Sequence, residues 1–400
     1  MFSFSPEEFI VEEIELDGTI LERGKAIENK AGNGNGKFCH FVLEKRLWNT
    51  VQAMGAIARN LRVSHRKFNA AGAKDRNAIT VQLCSAYGLT PEQLLSVDVK
   101  DIKINGAWLA GNKMELGDLL GNRFTVTLTK ENCGKKVTAL EVEKNAKKMN
   151  FLFPNYFGPQ RFGSLRHNSH LVGKLLLQEN WKEAVMNFLT YTDKIERDKD
   201  SRKARKQLAK DGDFLNALKT FPGHLKFERT VLGHLSQKPN DFVGALRNLP
   251  RHTLLIFLHA YQSYLFNECL RQRQENEDFS IRKGDFYCPS EPKFGFPEIE
   301  KAKKAEKKMK EGSGFLLLPI IGSDTEVGDV EKEILKKEGI EQSKFKIKGM
   351  PELSSKGTLR PAQVPIAQFE AMSEMGENVI RFALPAGSYA TVALDHLLAH

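Results

Sequence analysis

The sequence predicts an α+β fold in which a domain with a mostly antiparallel sheet is interrupted by a helix-rich inserted domain. Three observations carry this. Apolar and polar residues alternate with period two in several runs of the first third, at residues 8–22, 37–45, 78–83 and 124–128. After Gly163 the apolar spacing becomes helical, and after Pro365 an alternating run returns at 379–384. At 400 residues the chain exceeds one ordinary core. The expected boundaries are 1–163 for the first part of the sheet domain, 164–360 for the insertion and 361–400 for the last part of the sheet domain.

In chain order, residues 8–22 and 37–45 read as strands with one solvated face, and Asn29–Gly36 (NKAGNGNG) as a polar loop between them. Asn49 and Thr50 offer an N-cap to a helix over about 50–62, with Val51, Met54, Ile57, Ala58 and Leu61 on one face. The run Ala78 to Leu83 reads as a half-buried strand. Val97–Val99 with Ile102–Ile104, and Phe124–Leu128, suggest further strands, and 137–149 a helix. In the middle region, His167–Thr190, Asp213–Lys219 and 241–274 have helical spacing. Within the last of these, Leu254, Phe257, Leu258, Tyr261, Leu265 and Leu270 form a wide apolar stripe, while Arg271 and Arg273 suit a helix C-terminus. Asp193–Asp211 is almost wholly charged and reads as a solvated helix or loose excursion. The lysine-rich 301–311 reads as solvated helix surface. A helical, charged stretch runs from Asp324 to near Gly339, and 349–365, rich in Pro, Gly and Ser, reads as a linker. Val379–Leu384 is expected to be a strand, turned by Pro385 to Gly387, with Ser388 capping a short helix to about Leu398.

Composition narrows the function. Sixty Lys and Arg stand against 50 Asp and Glu, a formal net charge of +10, which suits a polyanionic partner, nucleic acid before an anionic membrane surface. Five widely spaced cysteines without a C-x-x-C pair argue against a disulfide framework or zinc site and for a reducing compartment. The N-terminus lacks the pattern of a signal peptide, and the longest apolar run, Thr253–Tyr261, is too short to span a bilayer. A cytoplasmic protein is expected. The histidines make no HExxH pattern, and no phosphate loop, dinucleotide fingerprint or serine elbow occurs, so neither metal nor cofactor is expected.

What remains is acid chemistry beside aromatic motifs. Asp75 lies between Lys74 and Arg76 on a Gly-containing turn; an acid held near cations stays ionised and can act as nucleophile or base. An ordinary charged hairpin turn would read the same way. Asn155–Gly163 (NYFGPQRFG) places Tyr156 and Phe157 on an irregular backbone with Gln160 and Arg161 close by, suited either to stacking a base and holding an anion or to core packing. Leu384–Thr391 (LPAGSYAT) opens a helix with a serine and Tyr389, suited to an anion or simply a capped start.

Taken together, GAKDRNAITVQ (72–82), NYFGPQRFG (155–163), AYQSYLFN (260–267) and LPAGSYAT (384–391), with KRLWNT (45–50) before them, resemble the motif set of the TruD family of pseudouridine synthases, in order and across nearly the whole chain. The resemblance implies a pseudouridine-synthase-type domain with an insertion between its halves, and cofactor-free isomerisation of a uridine in tRNA, most typically uridine-13. It implies that Asp75 is the catalytic aspartate and Phe157 the ring that stacks on the target base, with Tyr389 a second aromatic near the pocket, where Phe is common in the family. Asn155, Gln160, Arg161 and Lys74 are the remaining candidate substrate-binding residues. Lys74 and Arg76 flank Asp75, but neighbours on a strand-like path point apart, so Arg161 is the expected cation partner. The alternative is a non-catalytic RNA-binding or RNA-folding protein, for which charge and aromatic loops would suffice.

Overall fold

The structure, a computed structural model, describes residues 2, 4–27, 36–163, 165–276, 279–310, 312–374 and 377–398; the loop expected at 29–36 lies outside these except for Gly36. The chain forms two compact units, one of Met1–Phe153, Ser290–Glu298 and Gln363–His400, the other of Pro154–Pro289 and Ile299–Ala362.

The first unit begins with β1 (Phe9–Ile14), β2 (Phe38–Arg46), α1 (Thr50–Asn60), β3 (Phe68–Ala70), β4 (Ile79–Tyr87), α2 (Pro91–Leu95), β5 (Ile102–Ala110), β6 (Gly121–Leu128), α3 (Lys130–Cys133), α4 (Ala139–Lys148) and β7 (Leu152–Pro154). The second unit follows with α5 (Ser169–Leu177), α6 (Trp181–Thr190), α7 (Lys199–Asp211), α8 (Phe214–Thr220), α9 (Lys226–Leu235), α10 (Phe242–Arg247), α11 (Arg251–Glu275), β8 (Phe286–Cys288), β9 (Lys303–Lys304), β10 (Phe315–Ile320), α12 (Asp329–Glu338) and β11 (Thr358–Pro361). The chain then returns to the first unit as β12 (Gln363–Pro365), β13 (Ala367–Glu374), β14 (Glu377–Pro385) and α13 (Ala390–Leu398).

One sheet organises the first unit. Its order is β13-β14-β6-β1-β4-β2-β5, with β3 added on β4. The β1–β4 pairing is parallel; the other strands pair antiparallel. The C-terminal strand β14 lies against β6, with Phe382 opposite Phe124, so residues from both ends of the chain build one core. The parallel centre explains two departures from the expected half-buried strands. β4 is buried from Ile79 to Ala86, and β1 is buried at five of its six residues, because both faces of the central strands are covered. β6, by contrast, keeps its alternation. β1 also stops at Ile14 rather than running to residue 22, since the chain turns back to bridge Ile14 with Ile20.

Helix α1 begins as expected: the Asn49 side chain accepts from the Gln52 N–H at 2.8 Å. Its buried face, however, carries Thr50, Ala53, Met54, Ala56, Ile57 and Ala58, while Val51 is 75% exposed. Val97–Val99 is not a strand; only Val99 bridges to Ile102, across a turn with Asp101 at positive φ. Strand β13 went unread from the sequence.

The second unit packs its helices around α11, whose expected stripe from Leu254 to Leu270 is buried throughout. Helical stretches read as single break where the backbone must turn. His167–Thr190 is two helices separated at Glu179, φ 54°, and 241–274 is two helices separated by Pro250. Asp193–Asp211 holds α7, capped by Asp198 and with one buried side. Two expectations fail outright. Lysine-rich 301–310 leaves helical geometry after Lys301, the end of a 3-10 turn: Lys303 and Lys304 pair with β8, and Ala305 is buried. The 349–365 stretch is no linker, since it supplies β11, β12 and the buried Met350, Leu353, Arg360, Ala362 and Val364. Segment 290–298, placed with the first unit, has no compositional mark.

Candidate active site

The Asp75 turn joins β3 to β4 and is fastened from beneath. The Thr50 hydroxyl accepts from the Lys74 N–H and donates to Gln82 Oε1, both at 2.8 Å, and Gln82 Nε2 donates to the Gly72 carbonyl at 3.0 Å. Thr50 and Gln82 are buried, so two bonds of one small network fix both limbs of the turn. Lys45, on β2, is 1% exposed and donates to the Trp48 carbonyl at 2.6 Å, to Asp75 O at 3.2 Å and to Lys74 O at 3.4 Å. Burial pushes its ammonium down to about 8, and the charge of Asp75 offsets part of that shift.

Three consecutive side chains of the turn take different directions. Lys74 turns inward, where its ammonium lies 2.7 Å from Glu13 Oε2, off hydrogen-bond alignment and therefore Coulombic, and donates to Asn122 Oδ1 at 2.7 Å. Arg76 donates to the Leu47 carbonyl at 3.2 Å. Asp75 is exposed. Its flanking cations are thus both engaged elsewhere, and the ammonium beneath it is Lys45.

Asn122 links this turn to the Tyr389 motif. On β6 it stands opposite Leu384 of β14, and Pro385 stands opposite Gly121. Leu384–Thr391 therefore starts beside the strand residue that holds Lys74. Tyr389 is half-buried, and its carbonyl accepts from the Val392 and Ala393 N–H groups at 3.1 Å. Ser388 does not cap α13: its buried hydroxyl has no hydrogen-bond partner among the described residues, and the helix begins two residues later.

In the second unit the residues 155–163 wrap α11. Phe157 packs edge-on against Phe266, with ring centres 5.5 Å apart. Its N–H donates to Asn267 Oδ1 at 2.9 Å, and Asn267 Nδ2 donates back to its carbonyl at 3.0 Å. The Arg161 guanidinium lies 5.4 Å from the Phe157 ring centre and donates to the Ser263 hydroxyl at 3.0 Å. Ser263, Phe266 and Asn267 share one face of α11 at i, i+3 and i+4 spacing, which is why the AYQSYLFN motif belongs with NYFGPQRFG. Arg360 completes the group. Its guanidinium sits 4.1 Å from the Phe157 ring centre and donates to Asn155 Oδ1 at 2.7 Å. Buried Asn155 also donates to the Pro361 carbonyl at 3.2 Å. Gln160 is exposed on the 3-10 turn Pro159–Phe162.

Within the first unit the fold brings together Asp75, Lys74 and the start of the Tyr389 motif; within the second it brings together Asn155, Phe157 and Arg161. Sequence reasoning missed Lys45, Thr50, Gln82 and Asn122 around the turn, and Ser263, Asn267 and Arg360 around the ring. Several of these lie inside the quoted motifs, which was the available signal. Arg360 lay in a stretch whose Pro, Gly and Ser content concealed it.

Comparison with known proteins places this chain in a family. The model of tRNA pseudouridine synthase D (TruD) matches residues 3–397. A Methanopyrus kandleri protein named "Probable tRNA pseudouridine synthase D" is 37% identical, over 91% of this chain and 86% of its own length. A Methanococcus vannielii protein of the same name is 36% identical, over 97% and 92%. A crystal structure described as a TruD protein from Methanosarcina mazei superposes with a TM-score of 0.73 at 30% identity, covering 100% of this chain and 93% of that one. The chain belongs to the TruD family of tRNA pseudouridine synthases.

Proposed function

We propose that the protein isomerises a uridine of tRNA, uridine-13 being the expected position, to pseudouridine, with Asp75 as the reacting carboxylate. The observation that carries this is the exposed Asp75 carboxylate on a turn immobilised by Thr50, Gln82 and a buried Lys45. A reactive group held by buried hydrogen bonds loses little freedom when substrate arrives.

The reaction is redox-neutral. The C1′–N1 bond breaks, the uracil turns, C5 bonds to C1′, N1 gains a proton and C5 loses one. Asp75 serves either by attacking C1′ or by taking the 2′ proton, and an ionised carboxylate suits both roles. Lys45, rather than Arg161, supplies the positive charge beneath it in this reading. Lys74 acts by tethering the turn to Glu13 and Asn122, and Phe157 offers the face on which an extruded base stacks. Asn155 shapes that loop through Arg360, while Arg161, Gln160 and Tyr389 contact the nucleotide. The domain reading follows the same pattern: residues 1–163 and 361–400 form the synthase part and 164–360 the inserted part. No cofactor is called for by this chemistry.

Asp75→Asn is the test. The variant is expected to bind tRNA as the wild type does and to form no pseudouridine. Wild-type protein that binds tRNA tightly yet leaves every uridine unmodified would instead favour the RNA-binding alternative.

A further inference from the structure

The charged stretch Asp193–Asp211 has no place in the chemistry above, and its structure gives it one. In α7 the buried residues Ser201, Ala204, Arg205 and Leu208 form one side of the helix. Lys199, Arg202, Lys203, Lys206 and Lys210 form the opposite side, spaced i, i+3, i+4, i+7 and i+11 within an arc of about 100° at 3.6 residues per turn. Together with Gln207 they line a shallow surface groove. None of the five makes an ion pair within 4 Å among the described residues. The helix's acids lie off this stripe, and Asp211 accepts from Gln207 and the Asp213 N–H.

Some exposed cations on two other helices sit beside acids. On α11 the exposed Arg271 is neutralised by Glu268 and Glu275 one turn either side, and on α12 Lys332 approaches Asp329. On α7 five cations share one stripe, without an ion pair within 4 Å among the described residues, on a rigid support. Arg205, 1% exposed, pairs with Glu196 at 3.1 Å and Glu228 at 2.8 Å, donates to the Leu189 carbonyl at 2.9 Å, and lies over the Phe221 ring. The helix spans about 20 Å along its axis at 1.5 Å per residue.

We propose that the outer face of α7 binds the phosphate backbone of double-helical RNA, a contact outside the uridine-handling residues and independent of base sequence. Lysine and arginine in a row with no acid between them match a polyanion with regular charges. A-form RNA presents its phosphates and 2′-hydroxyls, not its deep major-groove base edges, to such a surface. The proposal rests on RNA being the ligand of the proposed function, but not on Asp75 chemistry.

The test is tRNA affinity at a series of salt concentrations for wild type, for Lys203→Gln/Lys206→Gln, and for a control with Lys332→Gln/Lys336→Gln on α12. Losing two phosphate contacts lowers the slope of log affinity against log salt by about 2 and weakens binding about tenfold to a hundredfold at 0.1 M salt. Pseudouridine formed per enzyme at saturating tRNA stays at the wild-type rate. An unchanged salt slope, or an equal fall in the α12 control, overturns the proposal. So does an α7 substitution that weakens binding to vesicles of one part phosphatidylserine in three as much as it weakens tRNA binding. If wild type binds tRNA but makes no pseudouridine, the proposed function fails while this contact stands or falls on its own slope.

Discussion

At the scale of the residue, what distinguishes Asp75 is its support. Thr50 ties the two limbs of the turn through Lys74 and Gln82, and Lys45 spends its donors on three carbonyls in the strand-to-turn corner. Replacing Lys45 by methionine keeps the stem's volume and removes those bonds. The variant is expected to lose pseudouridine formation about 100-fold or more while still binding tRNA, and Lys45→Arg to rescue little, because a planar guanidinium does not present its donors as a compact ammonium does to three converging carbonyls. The pH dependence of stability has a defined sign. The folded ammonium titrates near 8 against an ordinary 10.5, so between these values the unfolded chain binds a proton that the folded chain has released. Burial of the charge therefore costs most below pH 8, and stability rises through the window to 10.5, by up to about 3 kcal/mol from the 1.36 kcal/mol per unit conversion. Denaturant titrations of wild type and Lys45→Met across pH 7 to 10.5 check this: the rise is expected in wild type only.

At the scale of the element, the helix–loop pair of α11 and residues 155–163 acts as one part. Asn267 grips both backbone groups of Phe157, so Asn267→Ala frees the loop without touching any group that would meet RNA. It is expected to lower kcat/KM about tenfold, the loss of roughly 1–2 kcal/mol from two hydrogen bonds, with Asp75 unaltered. In α7 the same logic applies to folding. Arg205→Met leaves Glu196 buried without its partner and is expected to destabilise the second unit by about 3–5 kcal/mol, read as a lower denaturation midpoint. Much of this was legible in part. The stripe from Leu254 to Leu270 and the alternation of Phe124–Leu128 named their elements because burial on one face leaves a period. β4 misled, since burial on both faces erases the difference between its polar and apolar positions. The lysine run near 301–310 misled for another reason: charge shows solvation, and the pairing of Lys303 and Lys304 with β8 is set by distant residues.

At the scale of the molecule, the sequence showed that a sheet domain is resumed after a helical stretch, because the alternation at 379–384 matches that of 124–128 and the two pair in β14 and β6. It could not show that 349–365 supplies Arg360 and Pro361 to the ring site, since Pro, Gly and Ser mark turns whether those turns are mobile or buried. Nor could it show that Lys45 underlies Asp75. Those residues are 30 apart, and only the antiparallel register of β2 against β4, with Lys45 opposite Thr80, brings them together. The excess of basic residues is likewise a property of the whole chain that becomes specific only where a face such as that of α7 concentrates it. Among the described residues no helix is long and apolar enough to cross a membrane.

The central claim is that one carboxylate, Asp75, performs the isomerisation. Pseudouridine mapping of tRNA after incubation with wild type and with Asp75→Asn, alongside tRNA binding by both, tests it most directly. Equal binding by both, with pseudouridine from the wild type alone, is the expected result. Pseudouridine formed by Asp75→Asn at the wild-type rate would contradict it.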